Sequence, residues 1–518
     1  MTSTLASILI VLMLCSSALV LILGRSRPAA AVALARGANG AGLAIAATLA
    51  IAATDARFDG ATFVTDRLGT TIALFVLAMG VVVGSFASRS LAAHSSAVRF
   101  FAAANALMGA TVALALANGP WGLALSWTAV SVATVMLIAS DGRPASQRAA
   151  RKAAAAFAVG DLAVLAATAV ATLATSGSGS VTDLAASVGT RGGITGAVVG
   201  IGLLVGALAR SAQLPFHGWL PASIAAPTPV SAMLHAGVVN GSAILLLRWH
   251  PALAASAPIT VAAVGVGLAS VLAGMAVART KPDVKGGLAW TTVAQMGFMT
   301  IQCSLGLVGP AVVHMLAHGM FKSWLFLGSG SGLEGHGSHA HPAPLRPTPI
   351  IAALAVVTGG GLVALSLAVV RPEFLDHPAA IVPVAAAWST VSMVLAQWWG
   401  RSRGEDLWGR LAPVGAIAVG LGASTAIAAS LGTWLDAGPT NPHPGLASAL
   451  GVFVVAVIGG AWLAGAMADR LPARVTDAAW MRVAALATPG VVLGSPAPAR
   501  PAPPRPWRES VSLRRSSR

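Results

Sequence analysis

Between Gly206 and Gly241 the chain reads GALARSAQLPFHGWLPASIAAPTPVSAMLHAGVVNG, and seven of its residues are out of place in apolar surroundings. They are Arg210, His217, His235 and the prolines Pro215, Pro221, Pro227 and Pro229. Each type brings a distinct capability. Arginine is a permanent positive charge. Histidine exchanges a proton near neutral pH. Proline removes a backbone donor, kinks a helix and frees carbonyls that then need water or polar partners. Ionisable groups and helix breaks are expensive at membrane depth, and they persist mainly where they line a cavity or an ion path. The chemistry indicated is passage of a proton or ion rather than the making of bonds. A basic loop beside a helix cap is the plainer reading of Arg210 taken alone.

A second constellation strengthens the first. His314, His318 and Lys322 stand at i, i+4 and i+8, so they stack on one face of a helix. Three ionisable groups in one apolar helix are poorly explained by packing, and they suit a relay that loads and unloads a proton. Two histidines four apart can also hold zinc, but no Asp, Glu or Cys stands near in sequence to complete a ligand set, so relay is preferred to metal. Asp161, in FAVGDLAVLAA, is one of few acids inside an apolar run. It is either a counter-charge or relay group, or a carboxylate at the membrane edge facing Arg148 to Lys152. Asp66 and Arg67 read as a surface pair. His336, His339 and His341, in HGSHAHP, read as a polar loop before a metal tract.

These groups need elements to hold them, and the composition says which. Of 518 residues, 56% are hydrophobic and only 9% charged, and the mean hydropathy is +0.79. A soluble domain carries roughly a quarter charged residues. About fifteen apolar runs have spanning length, which predicts an all-α polytopic membrane protein of about 14–15 transmembrane helices, some discontinuous. The second run, 31–54, contains Arg36 and Asn39; the sixth is 154–175; the seventh, 194–220, is expected to be broken; the eighth is 228–248. The bundle is expected over residues 1–467. A basic, Pro-rich tail, 468–518, is expected to be partly disordered.

The net charge of +16 reflects basic loops rather than nucleic-acid binding. One set of alternate loops holds Arg25, Arg27, Arg89, Arg99, Arg143, Arg148, Arg151, Lys152, Arg279, Lys281, Lys285, Arg346, Arg401, Arg403 and Arg410. The other set holds only Arg57, Arg67, Arg191, Arg248 and Arg371. Under the positive-inside rule this places the chain in the cell membrane with its N-terminus outside and its C-terminus in the cytoplasm. Two cysteines, Cys15 and Cys303, are too few for an iron–sulfur cluster. No phosphate-binding loop or dinucleotide fingerprint is present, so the expectation is no catalytic site, metal or cofactor in this chain.

The same residues carry a resemblance. ARSAQLPFHGWLPASIAAPTPVSAMLHAG, KPDVKGGLAWTTVAQMGFM and VVHMLAHGMFKSWLFLGSGS resemble the signatures of the antiporter-like membrane subunits of respiratory complex I and their relatives, over roughly residues 60–335. VAQMGFMTIQCSLG and AHGMFKSWLFLGSGS are more similar to the DabB-type membrane subunits of DAB inorganic carbon pumps than to the complex I L subunit, and no long lateral helix is legible after the last run. The resemblance implies an antiporter-like fold and a soluble, zinc-dependent, carbonic-anhydrase-like partner, DabA. It also implies inorganic carbon accumulation driven by protons or another cation. An antiporter-like subunit of a quinone oxidoreductase, membrane hydrogenase or multi-subunit cation antiporter is the alternative; a scaffold that has lost conduction is a third.

By position, His235, His314, His318 and Lys322 match the family's proton-path residues, and Asp161 matches a family acid that follows Val-Gly. Two positions depart. Arg210 stands where the family has lysine, and Thr128 stands after Trp127 where it has glutamate. Arginine stays protonated and cannot be a loading site. Either Asp161 replaces the missing counter-charge, or this half of the path is a fixed electrostatic element, or Arg210 attracts an anion such as bicarbonate.

Overall fold

A computed structural model of the chain describes residues 2–53, 58–60, 62–92, 94–175, 179–281, 283–329, 348–370, 377–401, 407–434 and 443–467. The HGSHAHP loop and the 468–518 tail lie outside the described residues.

The apolar runs form helices because their backbone polar groups must be satisfied internally in lipid. The first six long ones are α1 (Thr2–Leu23), α2 (Pro28–Ala52), α3 (Arg67–Ser90), α4 (Ala97–Leu116), α5 (Pro120–Ile138) and α6 (Pro144–Thr175). A two-stranded ribbon, β1 (Phe58–Asp59) and β2 (Val64–Thr65), separates α2 from α3. Next come α7 (Val181–Arg191) and α8 (Gly193–Arg210), then short pieces: α9 (Trp219–Ala222), α10 (Thr228–Met233), α11 (Gly241–Arg248) and α12 (His250–Ala254). The long helices resume with α13 (Ala257–Ala278), α14 (Val284–Ser304), α15 (Val308–Gly328), α16 (Pro349–Val370), α17 (Ile381–Arg401), α18 (Leu407–Trp434) and α19 (Pro444–Met467).

Among the described residues, twelve segments are long and apolar enough to cross a membrane, and the chain is a multi-pass membrane protein. Neither α14 nor α15 is among the twelve, although both have spanning length. Their polar residues, Gln295 and Gln302 on one and His314, His318 and Lys322 on the other, lower their apolarity. α7 was not expected. Ser180 caps it by accepting from the Asp183 N–H, in a reciprocal capping box, and Val181, Leu184, Ala185 and Val188 make its buried face.

Two expectations are corrected. α8 stops at Arg210, before Pro215, so the prolines do not kink one helix. Pro215 precedes a separate 3-10 turn (Phe216–Gly218), Pro221 sits within α9, and Pro227 and Pro229 open α10. α6 begins at Pro144, before the apolar run, so Asp161 lies midway along a helix of 32 residues. Asp66, expected at the surface, is engaged inward: it caps α3 at the Gly69 N–H and accepts two hydrogen bonds from the buried Arg248, whose Nη2 also donates to the Ala115 carbonyl at 2.8 Å.

Contacts sort the loops onto two faces. On one, the Cα of Gly24 lies against Val98, Arg99 donates to the Ser140 carbonyl, Arg143 donates to the Ala225 carbonyl, and Lys285 donates to Thr228 Oγ1. On the other, Asn118 donates to the Gly60 carbonyl, Val181 N–H to the Asn118 carbonyl, and Arg248 to Asp66. The first face carries the arginine- and lysine-rich loops.

Candidate functional site

Two buried polar clusters occupy the bundle. The first surrounds Arg210, at the last turn of α8 and 1% exposed. Its Nη2 donates to Ser131 Oγ at 2.7 Å, to the Trp127 carbonyl at 2.8 Å and to Asp161 Oδ1 at 3.3 Å. Ser131 in turn donates to the same carboxylate oxygen at 2.8 Å. The guanidinium lies 4.0 Å from the centroid of Trp127 and 5.3 Å from that of Phe157. A cation held between two rings and a carboxylate is a closed electrostatic unit. Of the two readings of Asp161, the geometry takes the counter-charge. Thr128 donates to the Ala124 carbonyl of its own helix and makes no hydrogen bond to Arg210.

Close helix contact makes this pairing possible. A Cβ on Gly160 would lie 2.8 Å from the Ala209 Cβ, and one on Gly206 would lie 2.3 Å from Val164. Glycine at both positions lets α6 and α8 approach until Asp161 reaches Arg210. Beyond the break, Trp219 Nε1 donates to the Ala209 carbonyl at 3.0 Å, and Gln213 donates to the Val293 carbonyl of α14 at 3.1 Å. The chain end of α8 is therefore tied down on both sides.

The second cluster lies along α15. His314, His318 and Lys322 share the face expected from their spacing, and the last two are buried. Lys322 Nζ donates to Thr291 Oγ1 at 2.6 Å and to the Leu288 carbonyl at 3.2 Å, both near the start of α14. His314 Nδ1 is 2.8 Å from Gln302 Oε1 near the other end of α14. Between them, the rings of His314 and His318 have centroids 6.1 Å apart, and those of His318 and His235 are 6.0 Å apart. His235 is stacked on Phe326, at 4.5 Å and 9°. The row thus extends from the basic face, where α14 begins, toward the opposite face, where it ends.

His235 sits in a π turn, Leu234–Val238, between α10 and α11. Such turns loosen the regular backbone ladder and are frequent at functional sites. Asn240, just after it, donates to the carbonyls of His235, Ala236 and Met315 and so ties this turn to α15. Gly241 follows, 4.0 Å from Arg210 Nη1 by its Cβ direction, which brings the two clusters side by side. Arg210 Nη1, His235 Nδ1, Asn240 Oδ1 and both ring nitrogens of His318 are buried with no hydrogen-bond partner among the described residues.

Sequence reasoning missed the groups that complete the site. Ser131, Phe157, Thr291, Gln302 and Phe326 are ordinary residues of apolar helices, and only their neighbours in space mark them. Outside the spans, His250 packs on Gly306. There burial, reinforced by the nearby His377, pushes the His250 imidazole down to about 4, so it is neutral at physiological pH and adds no fixed charge at that end.

The fold and its two clusters define a polytopic membrane bundle with an interrupted helix and a row of titratable side chains. Residues 121–341 match the family described as NADH:quinone oxidoreductase/Mrp antiporter, TM. The chain is 30% identical over 355 residues to a probable inorganic carbon transporter subunit DabB1 of Halothiobacillus neapolitanus, covering 64% of this chain and 63% of that protein. To the probable DabB2 subunit of the same organism it is 38% identical over 189 residues, covering 36% of this chain and 34% of that one. To the NADH-quinone oxidoreductase subunit L of Mycobacterium tuberculosis it is 32% identical over 295 residues, covering 56% and 46%. The chain thus spans between a third and just under two thirds of these relatives' lengths. In fold it resembles a chain of the Mrp complex from Dietzia sp. DQ12-45-1b, with a TM-score of 0.58 at 21% identity, covering 93% of this chain and 59% of that one. Over residues 121–341 the chain is thus similar to the complex I/Mrp antiporter-like membrane subunits.

Proposed function

We propose that this chain is the proton-conducting membrane subunit of an energy-coupled inorganic carbon pump. The row Lys322, His235, His318, His314 and Gln302 carries the reading. It follows the depth of the bundle beside a π turn, and its unpaired buried nitrogens are of the kind that internal water satisfies. Ring spacings near 6 Å suit transfer through a single bridging water. In this reading Lys322 is the loading site at the basic, cytoplasmic end, the histidines pass the proton on, and Arg210 with Asp161 is a fixed charge pair beside the path. The chain itself makes and breaks no covalent bond; its gradient drives CO2 or bicarbonate handling by a soluble zinc-bearing partner of the DabA kind. The likeness to DabB1 and DabB2 supports that partner.

The match to subunit L favours a second reading, a proton-translocating subunit of a quinone oxidoreductase or multi-subunit antiporter. One purification separates the two. The chain is isolated from its native membrane with whatever stays bound, and the metals are measured. Zinc at about one per complex is expected; iron or flavin overturns the carbon pump in favour of the oxidoreductase. Lys322→Ala is expected to reduce gradient-driven carbon uptake at least tenfold, with Lys322→Arg equally inactive because arginine does not release its proton. Uptake unchanged in Lys322→Ala would remove the lysine from the path.

A further inference from the structure

We infer that a groove between α2 and α3 seats a transmembrane helix of another protein, and that this helix presents a small-residue face and one carboxylate toward Arg36. The groove has a volume of about 330 Å³ and is lined by Ala33, Arg36, Gly37, Asn39 and Gly40 of α2 and by Gly80 and Gly84 of α3. It lies outside the two clusters described above and does not depend on what they conduct.

Three observations point to an occupant. One outward stripe of α2 is small from Ala33 to Thr48: Ala33, Gly37, Gly40, Ala44 and Thr48 recur at helical spacing and are exposed. A Cβ on Gly37 or Gly40 would have nothing within 4 Å. Small residues of this kind let a second helix backbone approach closely. Asn39, next to them, is 2% exposed, lines the groove, and its Oδ1 has no hydrogen-bond partner among the described residues. A buried amide oxygen left unpaired is unfavourable, and a donor from a neighbouring helix would satisfy it. Arg36 is an exposed cation within a membrane span, and no ion pair or hydrogen bond to it is found among the described residues.

Depth decides between lipid and protein. α2 starts at Pro28 on the basic face, so Arg36 is about 12 Å and Asn39 about 16 Å along the helix axis. The guanidinium of Arg36 can snorkel to a lipid phosphate. Asn39, near the middle of a core about 30 Å thick, is beyond any headgroup. Only another helix reaches both. A second copy of this chain is disfavoured by charge: paired symmetrically on this face, it would set Arg36 against Arg36 with no acid on the stripe. The partner must therefore differ, and a carboxylate opposite Arg36 is the complement.

The test uses the full chain in its native membrane, with Ala44, one turn beyond Gly40, replaced by the photoreactive residue benzoylphenylalanine. Irradiation is expected to attach one polypeptide. Its crosslinked peptide should come from an apolar segment of spanning length with an Asp or Glu placed to face Arg36. Gly40→Leu, at a position where an added Cβ has nothing within 4 Å, and Arg36→Glu should each lower the crosslink yield about tenfold while the chain stays monodisperse. Exchanging the partner's acid for lysine should restore the yield in Arg36→Glu. Adducts with lipid alone, with a second copy, or with the 468–518 segment of this chain overturn the proposal. So does a crosslink indifferent to both substitutions.

Discussion

Arg210 and Lys322 are both buried cations, and their neighbours give them different roles. Arg210 is held by a carboxylate, a serine hydroxyl, a backbone carbonyl and two aromatic rings. Among the described residues, Lys322 has a threonine hydroxyl and a carbonyl as partners and no acid. A cation paired with a carboxylate is suited to hold a helix end, whereas one without a counter-charge is suited to gain and lose its proton. Breaking one side of a buried pair leaves an uncompensated charge and costs about 3–5 kcal/mol. Asp161→Ala and Arg210→Gln are each expected to lower the thermal midpoint of the purified protein clearly. The double variant Asp161→Asn with Arg210→Gln should recover most of that loss, because no unpaired charge remains. A double variant no better than the worse single would show that the pair is not the stabilising unit. Carbon uptake measured on the same double variant tests its role: uptake retained means Arg210 neither conducts nor attracts the substrate.

At the scale of elements, the arrangement depends on how closely α6 and α8 meet. Gly206 faces Val164 with no room for a methyl group, and Gly160 faces Ala209. Gly206→Val is expected to push α6 outward and pull Asp161 from Arg210, so its loss of stability should overlap with that of Asp161→Ala. Combined, the two should cost less than their sum, measured by thermal unfolding in detergent. A fully additive result would mean the glycine contact does not set the ion pair. The long helices were legible because twenty apolar residues in a row leave the backbone one choice. The break was legible as prolines, but its location was not. At the end of α8, Arg210 and the Trp219 indole are anchored by contacts 79 residues away in Ser131 and 10 away in Ala209. The π turn at His235 leaves no local sequence signal. The spacing of His314, His318 and Lys322 was readable because all three are on one helix; Thr291 and Gln302, on another, were not.

For the whole molecule, the contacts among the described residues bring the loops around Arg99, Arg143 and Lys285 to one face and those around Asn118, Val181 and Arg248 to the other. The positive-inside rule predicts that the face with Arg25, Arg27, Arg99, Arg143, Arg148, Arg151, Lys152, Lys281 and Lys285 is cytoplasmic. In that orientation the proposed path runs with Lys322 toward the cytoplasm and His314 toward the outside, and the proposed soluble partner would meet the basic face. Single cysteines read it directly. Cys15 is replaced by serine and Cys303, which is buried, is left in place. Ser180→Cys, before α7 on the sparse face, is expected to react with a membrane-impermeant maleimide in intact cells. Gln147→Cys, exposed near the start of α6 on the basic face, is expected to react only after permeabilisation. The reverse pattern would turn the molecule over: Lys322 would then load from outside, and an arrangement in which a cytoplasmic partner takes energy from an inward gradient through this row would have to be abandoned.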